Sequence, residues 1–195
     1  MKSMITEIIL DWGSVMCPDN NRYAAKILAE RYDCNERDLY TEFSTGEVSY
    51  FRKQQDDPFF DKLNRIFDIP IQELRKALNA VEPYSEMFRL LEQLSKRFSI
   101  HLFSNQAPFR TDHIRVNYDL RLFSHLFFSS EMGFMKPEKE AFLSVLEGIG
   151  KRAEECLFVD DNSKNTDVAR ELGFKVLLFK SVGTLKEDLG EMGIL

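Results

Sequence analysis

Five short apolar runs, separated for most of the chain by helical patterns, constrain this sequence more than any other feature. They are I-I-L-D (8–11), S-I-H-L-F-S-N (99–105), L-F-F-S-S (126–130), C-L-F-V-D-D (156–161) and K-V-L-L-F (175–179). Several are continuously hydrophobic rather than alternating, as expected of strands covered on both faces. Between them, Y-S-E-M-F-R-L-L-E-Q-L-S-K-R (84–97) sets Met87, Leu90, Leu91 and Leu94 on one helical face. Segments 138–150 and 164–173 show the same spacing, and each ends on a glycine suited to closing a helix. Strand and helix in this alternation predict right-handed crossovers and a doubly wound, parallel α/β sheet, and the C-terminal stretch from Val182 reads as a last surface helix.

One interval breaks the rhythm. Between Asp11 and the run at 99, helical patterns near 21–32, 36–44, 49–67 and 71–81 are punctuated by Gly46, Pro58 and Pro70. A single crossover needs one helix, so the surplus predicts a small α-helical cap over 16–82, inserted after the first strand. The core is then 1–15 together with 83–195. A formal charge of −6 argues against nucleic acid and anionic membrane as partners. No apolar stretch approaches the ~20 residues of a membrane helix, and the N-terminal apolar run is too short for a signal peptide. Cys17, Cys34 and Cys156 are scattered without C-x-x-C spacing and read as reduced thiols, so the expectation is a cytoplasmic protein, monomeric or a weak homodimer.

In open α/β sheets ligands bind beyond the carboxyl ends of the strands. Those ends read Asp11, then Ser104-Asn105, then Asp160-Asp161, and Lys136 follows the third run in G-F-M-K-P. Each alone is an ordinary turn or cap residue. Adjacent carboxylates after a buried strand, however, are destabilising unless a cation is near. Together the residues suit phosphoryl transfer through an aspartyl intermediate, in which Asp11 attacks phosphorus and one hard displacement becomes two easier ones. A Mg²⁺ held by Asp11 and Asp161 would let two anions approach. Lys136 would neutralise remaining charge, while the Ser104 hydroxyl and the Asn105 backbone N–H would hold a phosphate oxygen. Asn165, four residues after Asp161, is placed to support the metal shell alongside Asp160.

These segments resemble the haloacid dehalogenase-like (HAD) superfamily of hydrolases, most of which are Mg²⁺-dependent phosphatases. D-W-G-S-V resembles the first motif, with Asp11 as nucleophile; L-F-S-N the second, with Ser104; M-K-P-E-K-E-A-F the third, with Lys136. F-V-D-D-N-S-K-N-T-D-V-A-R-E-L-G resembles the fourth, with Asp160, Asp161 and Asn165. The resemblance implies a Rossmann-like core, a cap where the helical insertion lies, and a small phosphorylated molecule as substrate. It also implies that the residue two places after the nucleophile lends its backbone carbonyl to the metal. That residue is usually a second Asp serving as general acid and base, whereas here it is Gly13, which moves no proton.

Three readings follow. A phosphatase would act on a phosphate whose leaving group needs little protonation, such as an anomeric sugar phosphate or an acyl phosphate, or would take proton help from Ser14, a cap residue or water; the D-x-G-x-V form resembles a subgroup containing sugar-1-phosphate phosphatases, and S-N-Q and D-D-N fit it. A metal-independent 2-haloacid dehalogenase is disfavoured by Gly13, where D-x-Y-G is usual, and by the intact acidic pair. A binding or regulatory module is disfavoured by the retention of Asp11, Ser104, Lys136 and Asp161. In the insertion, Arg22, Tyr23, Phe43, Tyr50, Phe51 and Arg52 are candidate substrate contacts, though bundle core or plain surface explains each. His101, His113 and His125 fall twelve apart on different elements and predict no metal cluster. Cys17 lies near the reactive loop without an identifiable base.

Overall fold

Strands β1 (Glu7–Leu10), β2 (Ser99–Ser104), β3 (Phe123–Phe128), β4 (Cys156–Asp160) and β5 (Lys175–Leu178) form one sheet in the order β3-β2-β1-β4-β5. Every pairing is parallel. This is seen in a computed structural model that describes residues 4–50 and 57–195. The helices are α1 (Asn20–Tyr32), α2 (Glu36–Tyr50), α3 (Asp57–Phe67), α4 (Ile71–Leu78), α5 (Ser85–Leu94), α6 (Pro108–Asn117), α7 (Ser129–Met132), α8 (Lys139–Ile149), α9 (Ser163–Glu171) and α10 (Val182–Glu191).

The continuous apolar runs have a plain cause: each central strand feeds two cores. Ile8, Leu10, Ile100, Leu102, Leu157 and Val159 pack on one face against Met87, Leu90 and Leu91 of α5 and Leu185 and Leu189 of α10. Ile9, Phe103 and Phe158 point the other way, against Phe142 and Val145 of α8 and Ala169 of α9. Helices on both faces make the expected doubly wound, Rossmann-like sheet. Gly150 and Gly173 follow α8 and α9 with φ of 67° and 96°, the left-handed conformation that glycine adopts without steric penalty.

Helices α1–α4 share a separate core of Leu28, Leu39, Phe43, Phe60, Leu63 and Leu74, among others, which Ala107 and Phe109 at the start of α6 join. Phe60 meets Phe109 edge-on at 4.9 Å between ring centroids, and buried Arg110 Nη1 donates to Leu78 O at 2.6 Å. The helical layer is thereby seated over α6.

Several boundaries differ from the sequence reading. β1 stops at Leu10, so Asp11 has left the strand, although its N–H still donates to Val159 O at 3.0 Å. β3 covers Phe123–Phe128 rather than 126–130, because an edge strand exposes Ser124 and His125 and loses its apolar signal. Ser129 already begins α7, so Lys136 follows a helical turn rather than a strand. α2 runs through Gly46 to Tyr50, past the expected 44. Helix α6 went unread because its buried face includes Arg110 and Thr111. Phe51, Arg52 and the side chain of Tyr50 lie outside the described residues. Among the described residues, no helix is long and apolar enough to cross a membrane, and the three cysteines are free.

At the opposite end of the sheet from Asp11, Glu7 is buried in β1. Its carboxylate accepts from His101 Nε2 at 2.8 Å and pairs with Lys151 Nζ at 2.8 Å. His101 and His125, far apart in sequence, face each other across β2 and β3 with Nδ1 atoms 3.2 Å apart. Burial alone would push the Glu7 carboxyl up, but hydrogen bonds from His101, Lys151 and Thr6 outweigh it and hold the group at about 2. Its ordinary value is 4.5, so this carboxylate stabilises the fold fully above pH 4.5 and loses that contribution as pH falls toward 2. Solvent around Lys151 limits the contribution to about 1–2 kcal/mol. In an acid titration followed by circular dichroism, Glu7→Gln is expected to start less stable and to lose less between pH 4.5 and 2 than wild type.

Candidate active site

The chain leaves β1 toward β2 on one side, while β4 pairs with β1 on the other, so the crevice at their carboxyl ends is the switch point where α/β proteins bind ligands. Asp11 follows β1, Ser104 ends β2 and Asp160 ends β4. One oxygen from each of Asp11, Asp160 and Asp161 lies within 4.8 Å of the others.

Lys136 enters this cluster from the loop after α7, just before a cis peptide bond to Pro137. The Asn105 side chain fastens that loop: Nδ2 donates to Lys136 O at 2.8 Å, and Lys136 N donates to Oδ1 at 2.9 Å. The lysine is 2% exposed. Its Nζ lies 3.0 Å from Asp11 Oδ1 and 2.6 Å from Asp160 Oδ2, with the Phe103 and Phe158 rings 5.1 and 5.5 Å away. Burial works against the ammonium, yet the charges of Asp11 and Asp160 outweigh it and raise the pKa. Lys136 is held as a cation.

Asp160 is fully buried and saturated. Beyond Lys136, it accepts from Asn165 Nδ2 at 3.0 Å on both oxygens and from Asn162 N at 2.8 Å. Asn165 thus acts on Asp160 and positions it. Asp11 Oδ1 accepts from Trp12 N at 2.8 Å, and Ser104 close by favours the ionised carboxylate. Burial, reinforced by Asp160, pushes its carboxyl up to about 6 against the pull of Lys136. Asp161 is raised as well, by burial and then by Asp160, against smaller lowering contributions from its backbone, Lys136 and Ser14. Ser14 is a non-glycine residue at φ 59°, so the loop carrying Asp11 takes a sterically costly turn beside the carboxylates. One ammonium against three carboxylates leaves the cluster short of positive charge.

All the motif residues read from the sequence therefore meet at one place. His113 stands apart on α6. Cys17 is buried, and its thiol is pushed up to about 12 by that burial, so it is no thiolate nucleophile. Sequence reasoning missed Gln106, whose Nε2 donates to Ser104 Oγ at 2.9 Å, and Arg110, which also donates to Asn21 Oδ1. Arg110 carried no signal, since an arginine in an unread helix looks like surface.

A model of haloacid dehalogenase-like hydrolases matches residues 4–173. The chain belongs to this hydrolase family. Flavin mononucleotide hydrolase 1 of Arabidopsis thaliana is 31% identical over 130 residues, 65% of this chain and 53% of the plant protein, so the match spans about half of that relative. A sesquiterpene phosphatase of Aspergillus oryzae is 26% identical over 157 residues, 77% of each chain. A HAD family enzyme of Bacteroides thetaiotaomicron, solved with magnesium and inorganic phosphate, shares the fold with TM-score 0.77 at 22% identity, over 90% of this chain and 94% of that one.

Proposed function

We propose that this HAD hydrolase is a Mg²⁺-dependent phosphomonoesterase acting on a small phosphorylated metabolite, a sugar phosphate foremost, through a phosphorylated Asp11. The observation that carries the proposal is the Asp11–Lys136–Asp160 chain at the switch point, with Asp161 alongside. Phosphatase names among the relatives, and a neighbour solved with magnesium and phosphate, agree with it.

The donor set suits a hard divalent cation: carboxylate oxygens short of positive charge. Asp160 is spent on Lys136, Asn165 and Asn162, which leaves Asp11, Asp161 and the Gly13 carbonyl to hold the ion. When bound, Mg²⁺ supplies the positive charge that a carboxylate and a phosphate need between them. The free Asp11 oxygen attacks phosphorus; an Asp11 O–P bond forms and the P–O bond to the leaving group breaks. Lys136 balances the charge gathering on the phosphoryl oxygens, with the Ser104 hydroxyl and the Asn105 N–H as further donors. Water then attacks the same phosphorus, the Asp11 O–P bond breaks, and the carboxylate returns as phosphate leaves. The side chain of Asn105 is committed to Lys136, so its share in phosphate binding falls to its backbone.

No acid follows the nucleophile to protonate the departing oxygen. Crowding is not the reason, since a Cβ at Gly13 would meet nothing within 4 Å. General acid help is worth ~10²–10⁴-fold, and a leaving group stable as an anion does without much of it. An anomeric sugar hydroxyl is one such group. Helices α1–α4 act in this reading as the cap that covers the site and selects the substrate.

Purified protein is expected to hydrolyse p-nitrophenyl phosphate with Mg²⁺, to lose at least ~100-fold of that rate in excess EDTA, and to recover it when Mg²⁺ is restored. No turnover of this ester or of a sugar phosphate panel by folded protein overturns the proposal. Chloride release from a 2-haloacid without metal would replace it with the dehalogenase reading.

A further inference from the structure

Hydrolysis through a phosphorylated Asp11 involves two proton movements, and the choice of substrate settles only the first. A leaving group stable as an anion departs without a proton. In the second step the departing group is the Asp11 carboxylate whatever the substrate was, and the attacking water must give up a proton. Gly13 has no side chain to take it. Asp160 is committed to Lys136, Asn165 and Asn162, and Asp161 is needed for the metal. The base has to come from elsewhere in the cleft.

Beside the carboxylate cluster lies a cavity of about 130 Å³, lined by Gly13 and Ser14 of the Asp11 loop and by Asp19, Gln106 and Arg110, among others. It has room for several waters, each of which takes ~30 Å³ in the liquid. Among the described residues of its wall, Asp19 is the one carboxylate. The others are a glycine, a serine, side-chain amides and an arginine, none of which accepts a proton near neutral pH.

Asp19 immediately precedes α1, so it reaches the cavity from the helical layer. One of its oxygens serves the helix start: Oδ1 accepts from Asn21 N at 2.9 Å and from Arg22 N at 3.1 Å. A serine or asparagine offers that single acceptor equally well. Capping therefore leaves the second carboxylate oxygen unexplained. That atom, Oδ2, accepts among the described residues only from the Tyr40 hydroxyl, at 3.3 Å. The two backbone bonds fix the orientation of the carboxylate, while Oδ2 keeps a lone pair for a further donor. The residue is half-buried, so a proton collected there can pass on to solvent.

We propose that Asp19 is the general base of the second step. The water oxygen bonds to phosphorus as the Asp11 O–P bond breaks, that bond's electron pair returns to Asp11, and the water's proton goes to Asp19 Oδ2. This rests on the phosphatase reading. It moves the base from the position two residues after the nucleophile to the start of the helical layer.

Asp19→Asn keeps an oxygen for the helix start and removes the base, and Asp19→Ser does the same with a shorter side chain. Melting curves check that both fold. p-Nitrophenyl phosphate suits the test because p-nitrophenolate leaves without a proton, so the first step needs no acid. With Mg²⁺, rapid mixing should give a burst of p-nitrophenolate in both variants at a rate within about threefold of wild type. The phosphoryl adduct on Asp11, quenched in acid at successive times, should then decay ~10²-fold or more slowly than in wild type and accumulate in the steady state. Adduct decay at the wild-type rate in the folded variants overturns the role of Asp19 and leaves the phosphatase reading standing. A burst slowed as much as the decay does the same, because a residue that merely seats α1 would disturb both steps. Wild type that cleaves no phosphate ester overturns both.

Discussion

Asp11→Asn is expected to abolish turnover, by at least ~10⁴-fold, and at the same time to make the protein more stable in the absence of Mg²⁺. The loss follows from removing the attacking oxygen. The gain follows from electrostatics. In the fold the Asp11 carboxyl sits at about 6, against an ordinary 3.8, because burial and the charge of Asp160 outweigh Lys136. A folded value above the unfolded one means that this group's stabilising contribution fades as pH rises from 3.8 through 6. At neutral pH the ionised carboxylate is thus a net burden, and the neutral amide removes it at a gain of about 1–3 kcal/mol. For a chain of this size that is roughly a 3–8 °C higher melting temperature in EDTA. Adding Mg²⁺ should raise the melting temperature of wild type more than that of the variant, because binding to the native state stabilises it. A less stable Asp11→Asn in EDTA would contradict this electrostatic account.

Lys136→Met should also lose most activity but be unstable, and the opposite sign separates two residues that touch. The ammonium is the one cation in contact with both Asp11 and Asp160 among the described ion pairs. Removing it leaves two buried carboxylates with no counter-charge, a change that costs about 3–5 kcal/mol where buried pairs are broken. Methionine fills the space between Phe103 and Phe158 but forgoes their attraction for a cation. Activity should fall by ~10³-fold or more, since nothing else that close offsets phosphoryl charge. The instability should ease as pH drops toward 6, where the acidic cluster takes up a proton. Denaturant melts at pH 6 and pH 8 measure it. A variant as stable as wild type at pH 8 would show that the carboxylates are not held apart by Lys136.

Much of this site is written at the ends of apolar runs. A strand buried on both faces shows as I-I-L or L-F-V, and the polar residue that stops it is automatically at the sheet edge. Asp11, Ser104 and Asp160 were readable for that reason. Lys136 was read as following the third strand, but it lies past α7, in a loop whose path is set by Asn105, and the sequence does not show what carries it into the cluster. Long-range pairings left no trace at all. His101 and His125 come together because two parallel strands pair in register, a fact that sequence spacing does not encode. Glu7 and Arg110 are charged residues that tertiary contacts bury, against the surface expectation for their types.

The central claim is that Asp11 itself carries the phosphoryl group, and rapid-quench trapping tests it most directly. Wild-type enzyme mixed with Mg²⁺ and a turned-over phosphate ester, stopped in acid within one turnover and digested for mass spectrometry, should show one phosphoryl adduct on the peptide containing Asp11. The adduct should appear before free phosphate and be absent from Asp11→Asn. Turnover without any such adduct, or an adduct on a different residue, would contradict the account.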